Sequence, residues 1–280
     1  FYGWHYPPYF LGLAALLAAM PYALALALWQ GVTFALYLWV TRAILNTGRA
    51  RALADPLWLP LVIGFPAVFV NLGHGHNGFL TAALFGAALL QLDRKPILAG
   101  VLFGCIAYKP QFGLLVPIVL AASGRWRAFV AAATTVAVLT IAVTLAFGLD
   151  IWSAFLASTR FTRAVVLEQG ETGWHKIQSV FSVVRMWGGG IPLAYAVQGA
   201  VTLAVAGGLV WLWRSRASFA IKAAALAIGI ILATPYSLDY DLMLLAPAIA
   251  FLAADGMQRG FHPWQKSLLA ALWLVPILAR

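Results

Sequence analysis

Apolar residues fill this chain in runs, and polar residues interrupt them only briefly. A membrane-crossing helix needs about 20 apolar residues, each rising ~1.5 Å. Residues 22–45 satisfy that length. Residues 9–20 are apolar but only 12 long, and Pro21 stops them, so the stretch 8–20 reads as an interfacial or half-inserted helix. Further along, 57–70, 78–91, 97–107, 111–122, 128–147, 191–213, 219–234, 242–254 and 264–279 read as membrane segments, several unusually short. A long polar-aromatic loop is expected over 148–190. The pattern predicts an all-α polytopic membrane protein, with about ten membrane segments in one transmembrane domain over 1–280.

Composition agrees. Of 280 residues, 63% are apolar and 9% charged, against about 45–50% and about 25% in soluble domains. A water-soluble globular protein is excluded, and the 14% aromatic share excludes disorder. The single cysteine, Cys105, forms no internal disulfide, and no CxxC or Cys/His zinc spacing is present. The net charge of +10 sits in short loops between apolar segments, where it sets membrane orientation rather than binding nucleic acid. The chain opens at Phe1 without an initiator Met and closes just after an apolar run, which reads as a fragment or trimmed chain.

If every segment crosses, one side receives twelve Lys and Arg against Asp55, Asp93 and Asp255. The other receives Lys109, Arg160, Arg163, Lys176 and Arg185 against five acids. The basic side is expected to be cytoplasmic. The opposite, outer side then collects Tyr6-Pro7-Pro8, the His74/His76/Asn77 loop, Tyr108-Lys109-Pro110-Gln111, Trp174-His175-Lys176 and Tyr236-Ser237-Leu238-Asp239-Tyr240-Asp241. Functional polarity is segregated to one face.

Lys109 stands out by depth. The 12 residues from Pro96 to Ala107 rise only ~18 Å as helix, short of about 30 Å of hydrocarbon. Irregular backbone at membrane depth is tolerated where it lines a cavity, and an ionisable residue there is a functional candidate. Lys109 is therefore expected to point into an outer-face cavity. The competing arrangement is one long helix over 97–122 kinked at Pro110, which flips every downstream loop and conflicts with the charge rule.

Several candidate chemistries stand open. His74 and His76 can hold a metal or, among Gly73, Gly75 and Gly78, form a turn whose imidazoles bond substrate or backbone. No metal ligand set is assigned. Asp239 and Asp241 can line a sugar or acceptor pocket, act as acid and base, or sit at the positive end of the helix 242–254. Lys109, His175 and Lys176, with Arg160 and Arg163 as additions, suit an anionic leaving group such as phosphate. Arg185 reads as snorkelling. Trp4, Tyr6, Trp174 and Tyr236 can stack on sugars or serve the interfacial aromatic belt. No P-loop, dinucleotide fingerprint, nucleophile elbow or HExxH is present. A transferase would need a donor that is not a nucleotide.

The motifs Tyr6-Pro7-Pro8, Gly75-His76-Asn77-Gly78-Phe79-Leu80-Thr81-Ala82, Leu92-Asp93-Arg94, Ala107-Tyr108-Lys109-Pro110-Gln111, Trp174-His175-Lys176-Ile177-Gln178-Ser179 and Thr234-Pro235-Tyr236-Ser237-Leu238-Asp239-Tyr240-Asp241 resemble glycosyltransferase family 87, in that order and through nearly the whole chain. The resemblance implies a GT-C-type bundle with short broken helices and an outer-face cavity. It also implies transfer of mannose or arabinofuranose from a polyprenyl-phosphate donor to a lipid or glycan acceptor, with inversion, at the periplasmic face of a bacterial inner membrane. It implies no cofactor. Lys109, His175 and Lys176 would contact donor phosphate, and His76, Asn77, Tyr108, Gln111, Trp174, Tyr236, Asp239 and Asp241 would line the sugar and acceptor pocket. The family's catalytic Asp is expected in a loop upstream of Phe1, so no catalytic base is assigned. The family pattern Gly-Gln-Asn-Gly reads Gly75-His76-Asn77-Gly78 here. The rival from another class is a transporter or lipid flippase, and a second rival is a different outer-face lipid-dependent transferase, such as an acyltransferase or ligase.

Overall fold

The computed structural model describes residues 4–48 and 57–279. Its helices are α1 (Leu11–Ala18), α2 (Tyr22–Leu45), α3 (Trp58–Ile63), α4 (Pro66–His74), α5 (Gly78–Gln91), α6 (Pro96–Gly104), α7 (Leu115–Ala122), α8 (Trp126–Phe147), α9 (Asp150–Phe161), α10 (Val180–Met186), α11 (Ile191–Arg214), α12 (Phe219–Ala233), α13 (Leu245–Arg259) and α14 (Gln265–Leu278). The protein is an all-α polytopic membrane protein. Among the described residues, Tyr22–Leu45, Trp126–Phe147, Ile191–Arg214 and Asp239–Arg259 are long and apolar enough to cross a membrane.

Local chemistry sets the boundaries. Pro opens α4 and α6 and stands second in α11, where its missing N–H costs nothing. Ser179 and Ser218 cap α10 and α12, each accepting from the N–H three residues on. Two expected segments differ from the structure. The stretch 57–70 is two helices, because Phe65 before Pro66 takes an extended ψ of 123° and breaks α3 from α4. The stretch 148–190 is largely helical rather than a loop. It contains α9, a π-helical continuation Thr162–Glu168, a 3-10 turn Trp174–Lys176 and α10.

Burial ranks the spans. In the best 18-residue window, Tyr22–Leu45, Trp126–Phe147 and Ile191–Arg214 are 17%, 11% and 17% buried, whereas Asp239–Arg259 is 72% buried. The last is thus the axis of the bundle, and the others turn most of their surface outward to lipid. Around that axis pack Tyr37, Val40 and Ile44 of α2, Phe79, Phe85 and Leu89 of α5, and Ala227 and Ile230 of α12. On α6, Gly100 and Gly104 allow close approach to α8. A Cβ on Gly100 would lie 2.3 Å from the Ala128 carbonyl oxygen, and one on Gly104 would lie 2.5 Å from Thr135 Cβ. Small residues four apart are a common solution where helices pack without a hydrophobic drive.

The segment 96–122 folds as a hairpin. α6 ends in a 3-10 turn, Cys105–Tyr108, and a second turn, Pro110–Gly113, precedes α7. Arg125, after α7, pairs with Asp93, before α6, and its guanidinium lies 5.6 Å from the Trp213 ring and 5.7 Å from Phe219. The chain has therefore returned to the end it left, which overturns the single kinked helix. Lys109 sits at the hairpin tip.

Candidate functional site

The hairpin tip meets the N-terminal end of the axial span. Lys109, 2% exposed, forms an ion pair with Asp241, 3% exposed. The other Asp241 oxygen accepts from the Leu238 N–H at 2.9 Å, while the Asp241 N–H donates to the Leu238 carbonyl at 2.8 Å. Asp241 thus takes one of the places left open by the sequence, at the start of the helical turn Asp239–Leu244, and adds a buried ion pair that the sequence does not show. The Asp239 carboxylate accepts from the Tyr240 N–H at 2.8 Å.

Aromatic rings close around the pair. The Lys109 ammonium lies 4.6 Å from the Tyr240 ring centre and 5.3 Å from Phe112, a favourable arrangement for a cation away from water. His76 stacks on Tyr240 at 3.9 Å between ring centres. The Tyr6 and Tyr240 hydroxyls are 3.2 Å apart. Tyr6 is carried there by the segment 4–10, which is tied by His5 Nδ1 to Thr162 Oγ1 at 2.6 Å and by Phe10, whose ring lies tilted 5.2 Å from that of Tyr108. Tyr108 shares a hydrogen bond of 2.8 Å with Thr81, whose hydroxyl also donates to the Asn77 carbonyl at 2.9 Å.

The Gly-His-Gly-His turn is built by α4 and α5. Gly75 caps α4 at φ 66°, a conformation natural to glycine. Gly73 lies inside α4 and is not part of the turn. Gly78 opens α5 for space: a Cβ there would stand 2.5 Å from the Tyr240 carbonyl oxygen and 3.1 Å from Asn71 Oδ1. The Gly78 N–H donates to that Asn71 oxygen at 3.2 Å. His74 Nδ1 is 2.8 Å from the Val70 carbonyl, so the two imidazoles are engaged with backbone and with Tyr240. Among the described residues, no three His, Cys, Asp or Glu side chains are grouped to hold a metal.

Burial, followed by the repulsion of His74 and Lys109, pushes the His76 pKa down to about 4, against the pull of Asp241 and Asp239. A histidine free in an unfolded chain titrates near ~6.5. The folded form therefore holds its full advantage above that pH and loses it as the pH falls toward 4. Histidine-labelled NMR spectra should show one imidazole still neutral at pH 5. A midpoint at or above 6 for His76 would contradict this geometry.

A second contact joins two motifs far apart in sequence. Ile177 pairs antiparallel with Leu238, and the Gln178 N–H donates to the Ser237 carbonyl at 2.6 Å. His175 and Lys176 are thereby carried beside the loop that leads to Asp241. Both are exposed, and no ion pair or hydrogen bond among the described residues joins them to Lys109. Trp174 is committed locally. Its indole N–H donates to the Leu167 carbonyl at 2.9 Å, and the Arg185 guanidinium lies 4.7 Å from its ring. Trp174, Tyr236 and Leu238 pack on a small core of Val166, Leu167, Ile177 and Phe181. Arg185 does not snorkel: it donates to the carbonyls of Gly189 at 2.7 Å and Glu168 at 3.2 Å. Arg163 lies 3.5 Å from Glu168, Arg160 and Trp4 are exposed, and Gln111 is half-buried beside Lys109.

The sequence reading missed Asn71, Thr81 and Ser237 as site residues. Asn71 Nδ2, Asn77 Oδ1 and Ser237 Oγ are buried without a hydrogen-bond partner. An orphaned polar atom costs roughly 1–3 kcal/mol, so three around one ion pair point to a polar ligand that completes them. Asn71 had a legible signal: it is polar in an otherwise apolar helix, seven residues before the glycine that it binds. The arrangement offers a cation shielded from water, carboxylates, amides and aromatic faces, which together suit an anion joined to a polyol. The family model of glycosyltransferase family 87 matches residues 4–235. No curated protein and no solved structure matches the chain.

Proposed function

The chain belongs to glycosyltransferase family 87, and we propose that it moves a sugar of the mannose or arabinofuranose class from a polyprenyl-phosphate donor to a lipid or glycan acceptor at the periplasmic face of a bacterial inner membrane. The protein is a membrane glycosyltransferase. What supports the finer reading is the buried Lys109–Asp241 pair, ringed by Tyr6, His76 and Tyr240 and flanked by three unpartnered polar atoms. In this reading the donor phosphate engages Lys109, drawing it from Asp241, and the ammonium stabilises the charge that grows on the departing phosphate. Asn71, Asn77 and Ser237 take sugar hydroxyls. His175 and Lys176, exposed beside the same loop, attract the anionic head on approach. Asp239 and Asp241 face the sugar or acceptor once the phosphate holds Lys109.

The test is transfer itself. The full-length protein in membranes, given polyprenyl-phosphate mannose or arabinose and a membrane glycan extract, should yield products heavier by one hexose or pentose. An acyl increment would indicate another transferase, and no increment with either donor would overturn the donor assignment. Asn77→Ala should lower turnover at least tenfold and cost no more in stability than the about 1 kcal/mol of its hydrogen bond to Tyr6, because its side-chain oxygen has no partner among the described residues.

A further inference from the structure

A large chamber lies away from this site. Its volume is about 870 Å³, and it runs between α2, α3, α13 and α14. Tyr37, Trp58, Phe65, Ile249 and Trp273 supply much of its wall. That size falls within the roughly 300–1,000 Å³ of small-molecule pockets. None of Lys109, Asp241, His76 or Tyr240 lines it. Its deep end reaches Ala246, and its other end reaches Phe261 and Lys266 past α13, whose 15 residues rise about 22 Å.

The end at Phe261 and Lys266 is chemically different from the rest. Lys266 is the one charged residue among the described lining, which holds no Asp or Glu. Its ammonium lies 5.1 Å from the Phe261 ring and makes no ion pair among the described residues. The neighbouring cations are occupied: Arg259 pairs with Asp255 at 3.1 Å, and Arg42 lies 5.8 Å from the Trp58 ring. A second hollow of about 500 Å³ shares Phe261 and Lys266 and adds His262, Trp264 and Ser267. Trp264 is 79% exposed and held at φ 64°, an uncommon backbone for a bulky residue. An outward Trp beside a Lys marks headgroup level in a membrane protein.

We propose that this chamber is a binding site for an anionic phospholipid, with one acyl chain in the apolar chamber and the phosphate at Lys266. The occupant follows from the charge and shape together. A free anion has no use for an apolar chamber, and an uncharged lipid leaves Lys266 without a counter-ion in an interface. An acyl chain covers apolar walls that the helices leave unpacked, and the phosphate supplies a negative charge that no described side chain gives Lys266. The site is independent of the transfer reading, since it shares no residue with the Lys109 cluster.

Native mass spectrometry on the full-length protein released from vesicles of equal phosphatidylglycerol and phosphatidylcholine tests it. One phosphatidylglycerol per chain should be retained, at least fivefold over phosphatidylcholine. Lys266→Gln should abolish that preference, Lys266→Arg should keep it, and Ala270→Phe, which fills the chamber, should release the lipid. Circular dichroism checks that each variant is folded, and Ala270→Phe carries the test if Lys266→Gln fails to fold. Equal retention of both lipids, or retention unchanged in Lys266→Gln and Ala270→Phe, overturns the site. Displacement of phosphatidylglycerol by added polyprenyl phosphate at equal concentration overturns the choice of occupant. Sugar transfer measured on the same samples reports separately on the catalytic reading.

Discussion

Replacing Lys109 by Met is expected to destabilise the folded chain by about 3–5 kcal/mol, and replacing Asp241 by Asn by a similar amount. Both groups are almost wholly buried and form one pair. Removing the cation leaves a carboxylate in a poorly solvated place, with only the Leu238 N–H to hold it. Removing the anion leaves an ammonium against the faces of Tyr240 and Phe112. The double variant Lys109→Met with Asp241→Asn should be more stable than either single one, because it buries no charge and keeps an acceptor for Leu238. Thermal unfolding of the four proteins in one detergent measures this cycle. Transfer activity should separate from stability: the double variant regains the fold and stays inactive, since no ammonium remains for phosphate. Single variants within 0.5 kcal/mol of the parent, on this ~3–5 kcal/mol scale, would mean that the pair is not buried in the working protein. A double variant with parental turnover would remove both residues from the chemistry.

Gly78→Ala has the second large effect. Its Cβ would stand 2.5 Å from a backbone oxygen, that of Tyr240, and 3.0 Å from Met243 Cγ. A flexible side chain can swing aside; the Tyr240 carbonyl moves only with its turn. Overpacking of this kind costs roughly 1–3 kcal/mol. The larger loss should be catalytic. Tyr240 lies against both His76 and Lys109, so displacing it by about 1 Å misplaces the cation that the donor would meet, and a shift of that size can cost about 10²-fold. The expected result is a folded protein with turnover reduced on the order of 10²-fold. Gly73→Ala is the control: it lies in α4 with open space at its Cβ and should leave turnover unchanged. Equal loss in both variants would attribute the effect to the helix rather than to Tyr240.

Much of the candidate site was legible as chemistry and very little as geometry. The depth argument singled out Lys109, and the structure seals it at the tip of a hairpin. Periodicity and length did not show that Asp241, 132 residues later, would take its charge. The stretch 148–190 was misjudged for a physical reason. Its polar residues, such as Glu168 and Arg185, make it too polar to read as a span. Helix nevertheless forms there, because Val166 and Leu167 of Thr162–Glu168 and Phe181 of α10 are buried together with Ala194 of α11 in a small core. By residue type Trp174 suits a sugar platform, but its indole N–H and ring are engaged by Leu167 and Arg185. Nothing local in Trp174-His175-Lys176 distinguishes a free ring from a committed one.

The amino-acid sequence alone determined the solvent, the helical class and the family, because apolar run length and motif order are properties of the chain read in one dimension. Proline positions set where several helices begin for the same reason: a missing N–H and a fixed φ act on their own neighbours. Only tertiary structure decided which motifs touch, and so that Lys109 meets Asp241, that Tyr6 reaches Tyr240, and that Gln178 binds Ser237. Those pairings depend on how helices with apolar surfaces on nearly every side pack against one another. Where one apolar face resembles the next, packing of shape and buried charge selects the neighbours.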